Sequence, residues 1–207
     1  MGAPPRTGVI DYDMGNIHSV AKALEASGHR VGILASPEEM AAFSPTHLVL
    51  PGVGAFGEGR ARLEHKGWIP VIERWLREDH PFLGICLGMQ LLFDTSQEFG
   101  THRGLGFFSG EIVPFDPARG KVPQIGWNDV VRTSPHPLWS RLPARPDFYF
   151  VHSYRVRTSD RDLVLGETDY QGPYPSMVGR GRIAAVQFHP EKSQAAGLTL
   201  LENFGGL

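Results

Sequence analysis

Phe82-Leu83-Gly84-Ile85-Cys86-Leu87-Gly88-Met89-Gln90-Leu91-Leu92-Phe93 reads as an apolar strand that turns, at a cysteine, into an apolar helix. The cysteine stands between two glycines, the spacing of a nucleophile elbow with sulfur in place of oxygen. Glycines on both sides remove the β-carbons that so sharp a turn would drive into neighbouring backbone. A helix N-terminus, in addition, favours thiolate over thiol. The residues alone also admit a plain packing role, because cysteine is among the most buried side-chain types.

Upstream, Gly8-Val9-Ile10-Asp11-Tyr12 is a first strand, and Ile17, Val20, Ala21 and Leu24 then recur at helical spacing until Gly28. Val31 to Leu34 with a short helical stretch after Pro37 makes a second unit. His47-Leu48-Val49-Leu50, stopped by Pro51, is a third strand, and a helical region from Ile69 to Glu78 leads to Phe82. This alternation predicts an α/β fold with an open, mostly parallel central sheet flanked by helices. Downstream, the runs at Glu111 to Pro114, Asp129 to Val131, Phe148 to Val151, Leu163 to Gly166 and Ile183 to Phe188 are parted by Pro- and Gly-rich turns. They predict added antiparallel strands in the C-terminal half, closed by a helix over Ala195 to Asn203. With 207 residues and no linker, repeat or low-complexity tract, residues 1–207 are expected to form a single domain.

Composition narrows the classes. Cys86 is the one cysteine in the sequence, which excludes an intrachain disulfide or a multi-cysteine zinc site and fits an intracellular location. The net charge of −2, with no long run of either sign, gives no footprint for nucleic acid. Met1 to Thr7 lack an apolar secretory core, and no stretch approaches the ~20 apolar residues of a membrane span. The expectation is a soluble cytoplasmic protein without metal or cofactor.

A cysteine nucleophile needs a base, and the base an orienting group. His189 ends the run Ala184-Ala185-Val186-Gln187-Phe188 and precedes Pro190, which holds it extended. Residues two apart on an extended chain share a face, so Glu191 falls beside the imidazole. One ring nitrogen is then held by Glu191 and the other is left for the cysteine proton; an exposed His–Glu pair at a strand end is the competing reading. Pro51-Gly52-Val53-Gly54-Ala55-Phe56-Gly57 contains G-x-G-x-x-G, but it follows the third strand, where a dinucleotide fingerprint follows the first. A glycine loop beside a nucleophile can instead turn backbone N–H groups on a developing oxyanion, together with the N–H of Leu87.

Three segments together, Gly84 to Gln90, Pro51-Gly52-Val53-Gly54 and His189-Pro190-Glu191-Lys192-Ser193, resemble the triad-type (class I) glutamine amidotransferases. Asp11 to Asn16, Lys121-Val122-Pro123-Gln124-Ile125-Gly126-Trp127-Asn128 and Tyr149 to Tyr154 are similar to the glutaminase-subunit family of imidazole glycerol phosphate synthases, so the resemblance spans Asp11 to Ser193.

The resemblance implies a triad of Cys86, His189 and Glu191, with an oxyanion hole from backbone N–H groups at Val53 and Leu87. It implies that Gly52, Gly54, Gln90, Glu98, Ser153 and Tyr154 contact glutamine. A cyclase subunit of barrel fold would be the heterodimer partner, met by Trp127, Asn128, Tyr149 and Lys192. The family more often has His-Met where this chain has Gln124-Ile125. If the Gly52-Val53 peptide must rotate to aim its N–H at the oxyanion, partner docking would select the active orientation. A glutaminase serving another synthase, or a catalytically silent module of the same fold, stay open as alternatives.

Overall fold

A computed structural model of the chain describes residues 3–207; Met1 and Gly2, the start of the stretch without a secretory core, lie outside it. In chain order the elements are β1 (Arg6–Ile10), α1 (Ile17–Ala26), β2 (Arg30–Leu34), α2 (Glu39–Phe43), β3 (His47–Leu50), α3 (Phe56–His65), α4 (Trp68–Arg77) and β4 (Phe82–Ile85). The single turn α5 (Leu87–Gln90) comes next, then β5 (Phe93–Ser96), β6 (His102–Arg103), β7 (Phe108–Pro114), β8 (Gln124–Asp129) and β9 (Val131–Arg132). The chain ends with β10 (Asp147–His152), β11 (Tyr154–Arg157), β12 (Val164–Asp169), β13 (Pro173–Arg180), β14 (Ile183–Val186) and α6 (Gln194–Phe204).

Eight strands form the central sheet in the order β2-β1-β3-β4-β14-β13-β12-β9. The first five run parallel, and the last three are added antiparallel, as the change in strand pattern along the sequence predicts. Both faces are covered, and period-two alternation sends neighbouring side chains to opposite layers. Leu48, Leu50, Phe82 and Ala185 join the layer of Phe56, Leu63, Trp68, Ile72 and Leu76 from α3 and α4. Val49, Leu83, Ile85 and Val186 join the layer of Val20, Leu24, Leu200, Leu201 and Phe204 from α1 and α6. Each buried Val, Leu, Ile or Phe among them contributes about 1.5–3 kcal/mol relative to exposure. A four-stranded sheet in the order β11-β7-β5-β6 and the antiparallel pair β8–β10 stand beside the main sheet.

Several elements depart from expectation. Helix α3 has few apolar residues and two glycines; what holds it is the i,i+4 pairs Arg62–Glu58 and Arg60–Glu64 and a carboxylate at its N-terminus, where Phe56 N–H donates to Glu98 at 2.5 Å. The run Asp129 to Val131 straddles the break between β8 and β9 at Val130. The expected helix after Cys86 is one turn only, and Leu91 to Phe93 leave it for β5, an element with no alternating signal. Strands β6, β8, β11 and β13 were likewise not marked by their sequence.

The arrangement serves one juxtaposition. β4 and β14 are parallel neighbours with Ile85 opposite Val186, and Cys86 N–H donates to Val186 O at 2.8 Å. Both strands end at the same edge, so the residues after β14 lie against those after β4. Space at the β4 turn is tight: a Cβ at Gly88 would overlap the Leu50 carbonyl, and one at Gly84 would come within 2.8 Å of the Gly88 carbonyl. Gly88→Ala is expected to cost more than about 3 kcal/mol in urea denaturation. Gly28→Ala, where only a φ of +85° is strained and nothing lies within 4 Å, is expected to cost about 1–2 kcal/mol. Equal losses at the two positions would contradict a steric origin.

Candidate active site

Cys86 occupies the corner with φ +54° and ψ −106°, a conformation that a non-glycine residue adopts only when its surroundings enforce it. The enforcement comes from β4 on one side and from α5 on the other, which starts at Leu87 and packs against the end of β3 through the Gly88–Leu50 approach. The side chain is buried but borders a cleft of about 390 Å³. Val53, Gly54, Leu87, Gln90, Glu98, Ser153 and Tyr154 border the same cleft, so most of the residues expected at the substrate come together there. His152 and Pro123 also line it.

His189 and Glu191 approach from β14. His189 Nδ1 is 2.8 Å from Glu191 Oε1, with the two side chains 2% and 1% exposed, so this is no surface pair. The route differs from the extended one read from sequence: His189 is extended, but Pro190–Lys192 close into a 3-10 turn that brings the carboxylate back to the ring. Ser193 fixes the turn by donating to His189 O at 2.6 Å and accepting from Tyr149 N–H. His189 Nε2 is buried and makes no hydrogen bond within the chain. Burial by itself would lower the imidazole's pKa, but the Cys86 sulfur and the Glu191 carboxylate outweigh it and raise the value to about 10. The sulfur and the carboxylate flank the ring, and Glu191 fixes it from behind.

The glycine loop expected to serve an oxyanion meets the cysteine turn. Leu87 N–H, one of the two donors expected there, donates to the Gly52 carbonyl at 3.3 Å. Val53 N lies on the other side of that peptide, 3.3 Å from where a Cβ at Gly15 would be. One residue upstream the loop is pinned: the Tyr12 hydroxyl donates to Pro51 O at 2.8 Å, and any Cβ at Gly52 would overlap that hydroxyl. Rotation of the Gly52–Val53 peptide is thus the movement needed to offer two N–H donors.

Polar groups on the far wall are already partly engaged. Gln90 Nε2 donates to Gln187 Oε1 at 3.0 Å and, more weakly, to Tyr154 O at 3.4 Å, and one Glu98 oxygen caps α3. His152 Nδ1 is 2.7 Å from Tyr154 O, and burial pushes this histidine down to about 4, so the ring is neutral at pH 7. Gln187 was not singled out from the sequence, although a polar residue inside an otherwise apolar, wholly buried run is a readable signal. Tyr12 and His152 were missed as well.

The residues expected at a partner surface divide. Tyr149 pairs directly with Trp127 in the β8–β10 register, their rings 6.2 Å apart, and the Lys192 ammonium lies 5.9 Å from the Tyr149 ring. Trp127 is half exposed at 49%, and Ile125, on the same face of the strand pair, is 55% exposed. Asn128 falls on the opposite face and donates to Asp169 O at 3.1 Å. Among the described residues no helix is long and apolar enough to cross a membrane, and no cluster of three or more His, Cys, Asp or Glu side chains is arranged to hold a metal ion.

A family model described as glutamine amidotransferase class-I matches residues 8–205. The chain is 48% identical over 206 residues to the imidazole glycerol phosphate synthase subunit HisH of Thermosynechococcus vestitus, covering 98% of this chain and 97% of that protein. It is 47% identical over 198 residues to the same subunit from Desulfitobacterium hafniense, covering 96% and 92% of the two chains. Among solved structures it is similar to PurLQS from Thermotoga maritima, with a TM-score of 0.78 at 18% identity over 97% of each chain, a likeness of fold.

The charge balance around His189 is testable by NMR of its ring. With its pKa raised, the protonated imidazole lends stability that is fully present below its ordinary 6.5 and is lost as pH rises through about 10. Removing the sulfur with Cys86→Ser or the carboxylate with Glu191→Gln should each move the titration midpoint down from about 10. An unmoved midpoint in both variants would contradict the coupling of ring, sulfur and carboxylate.

Proposed function

The chain belongs to the class-I glutamine amidotransferases, and from that premise we infer that it is the glutaminase subunit of an imidazole glycerol phosphate synthase, releasing ammonia from glutamine for histidine biosynthesis. The observation that carries this reading is the buried His189–Glu191 pair set against a cysteine at a strained turn, on the wall of a cleft of about 390 Å³. Near-full-length similarity to HisH subunits sets aside a glutaminase serving another synthase. The presence of Cys86, His189 and Glu191 argues against a silent module.

Residues 1–207 work as one amidotransferase domain. The Cys86 thiolate attacks the side-chain amide carbon of glutamine, and the carbonyl electron pair moves onto oxygen. As the adduct collapses the C–N bond breaks, and ammonia leaves with the proton that His189 supplies from Nε2. His189 then takes a proton from water, hydroxide adds to the thioester, and glutamate departs as the C–S bond breaks. Glu191 holds the ring in the tautomer that both steps need. Val53 and Leu87 N–H groups receive the oxyanion once the Gly52–Val53 peptide has turned, with Gly52 and Gly54 giving the loop its freedom. Gln90, Glu98, Ser153 and Tyr154 read the amino-acid end of the substrate; the Glu98 carboxylate complements its ammonium group. No cofactor enters the scheme.

Ammonia released into neutral water becomes ammonium and loses its nucleophilicity, so the product must pass directly to a consumer. The partner is the cyclase subunit, of barrel fold, forming a cytoplasmic heterodimer. Trp127, Tyr149 and Lys192, beside the His189 turn, form the docking face; Asn128 supports it from behind through Asp169. The closed Gly52–Leu87 contact supports a subunit that idles until docking opens it.

Mixed with a cyclase subunit, Cys86→Ser should lose the glutamine-dependent reaction and keep the ammonium-dependent one; loss of both would make Cys86 structural. Docking with the cyclase's ligand bound should raise glutamine turnover about 10²–10³-fold, the worth of an oxyanion donor. Equal turnover with and without the partner would contradict the closed-loop account.

A further inference from the structure

One buried polar side chain outside the triad touches the reacting sulfur. Gln187, just past β14, is fully buried; its Nε2 donates to Cys86 Sγ at 3.6 Å and its Oε1 accepts from Gln90 Nε2 at 3.0 Å. A single backbone carbonyl sets the direction of both amides. Tyr154 O can only accept, and it faces His152 Nδ1 at 2.7 Å and Gln90 Nε2 at 3.4 Å. The amino end of Gln90 therefore points to Tyr154 and to Gln187 together. Flipping Gln187 would set two amino groups against each other, so its oxygen meets Gln90 and its N–H meets the sulfur.

We propose that Gln187 is a catalytic residue of this glutaminase, a second hydrogen-bond donor that keeps the Cys86 sulfur as thiolate in the resting enzyme and as leaving group in thioester hydrolysis. The inference rests on Cys86 being the nucleophile. His189 alternates between cation and neutral base through the cycle, giving its proton to ammonia and regaining one from water, whereas the amide donor of Gln187 is present at every step. The sulfur already accepts from Gln187 in the structure. The amide N–H is not transferred near neutral pH, so the sulfur retains a donor whatever the imidazole's charge. In the second half, hydroxide from water adds to the thioester carbon and the water's other proton goes to His189. The adduct then collapses, the C–S bond breaks, its electron pair passes to sulfur, and the carbonyl re-forms as a carboxylic acid, which loses its proton to solvent as glutamate. Charge on sulfur is greatest there, and a hydrogen bond to an ionised group is roughly twice as strong as a neutral one.

The chain's single cysteine makes the test direct, since iodoacetamide alkylation reports on Cys86 alone. Alkylation rate against pH is measured for the full chain, for Gln187→Met, which removes the donor, and for Gln187→Glu, which keeps the acceptor for Gln90. Thermal melts establish that each variant folds. The midpoint is expected to rise by about one pH unit in Gln187→Met and at least as far in Gln187→Glu, whose carboxylate would face the sulfur. Turnover with the cyclase present should fall about tenfold. Unmoved midpoints overturn the proposal; should Gln187→Met not fold, Gln187→Leu, which also removes the donor without adding charge, takes its place. The full chain's glutamine turnover with its partner, measured in parallel, is a separate readout: failure there removes the glutaminase reading, whereas failure of the alkylation shift removes only the role of Gln187.

Discussion

Everything in the site hangs on the backbone turn at Cys86. A residue with a Cβ held at φ +54° and ψ −106° is strained, and such strain persists only where neighbouring structure leaves no alternative. Here the alternatives are removed by close packing: β4 lies between two parallel neighbours, and Gly88 sits so near the Leu50 carbonyl that nothing larger fits. The turn brings the sulfur out at the sheet edge, on the wall of the cleft. Because β14 is the adjacent parallel strand, the same edge delivers Gln187 and His189 to that sulfur. Sheet order is what brings Cys86 together with Gln187 and His189, about a hundred positions further along the chain.

Helix α5 is a single turn, too short for an appreciable macrodipole. At close range the Cys86 sulfur meets the Gln187 amide, and that sulfur and the Glu191 carboxylate hold the imidazole pKa up although burial opposes it. In the proposed mechanism the Gly52 carbonyl on Leu87 N–H would set an acceptor where a tetrahedral adduct needs a donor, so the barrier would stay high until the peptide turns. A ready nucleophile beside an unready oxyanion hole would then hold ammonia release until a consumer is bound.

The sequence showed the parallel half of the sheet and the triad because both rest on strong local signals. Buried parallel strands such as His47–Leu50 are continuous apolar runs, and glycines flanking a cysteine have few uses. What was hidden depends on contacts far apart in the chain. Helix α3 is held by charge pairs and by Glu98, β13 carries two prolines at a sheet position fixed only by β12 and β14, and α5 is cut short by the return of the chain into β5. Glu191 reached the histidine as expected but through a 3-10 turn, since Pro190 begins a helical turn as readily as it ends a strand. The resemblance implies that Asn128 and Trp127 both meet the partner, and strand alternation sends the two to opposite faces.

The central claim is that Cys86 forms a covalent glutamyl intermediate, and that it does so when partner docking has turned the Gly52–Val53 peptide. Rapid acid quench after mixing with glutamine, then mass spectrometry of the peptide containing Cys86, reads this directly. A glutamyl thioester on Cys86 that accumulates with the ligand-bound cyclase, and is nearly absent from the isolated chain, is the predicted result. An adduct formed equally well without the partner, or on a residue other than Cys86, would contradict it.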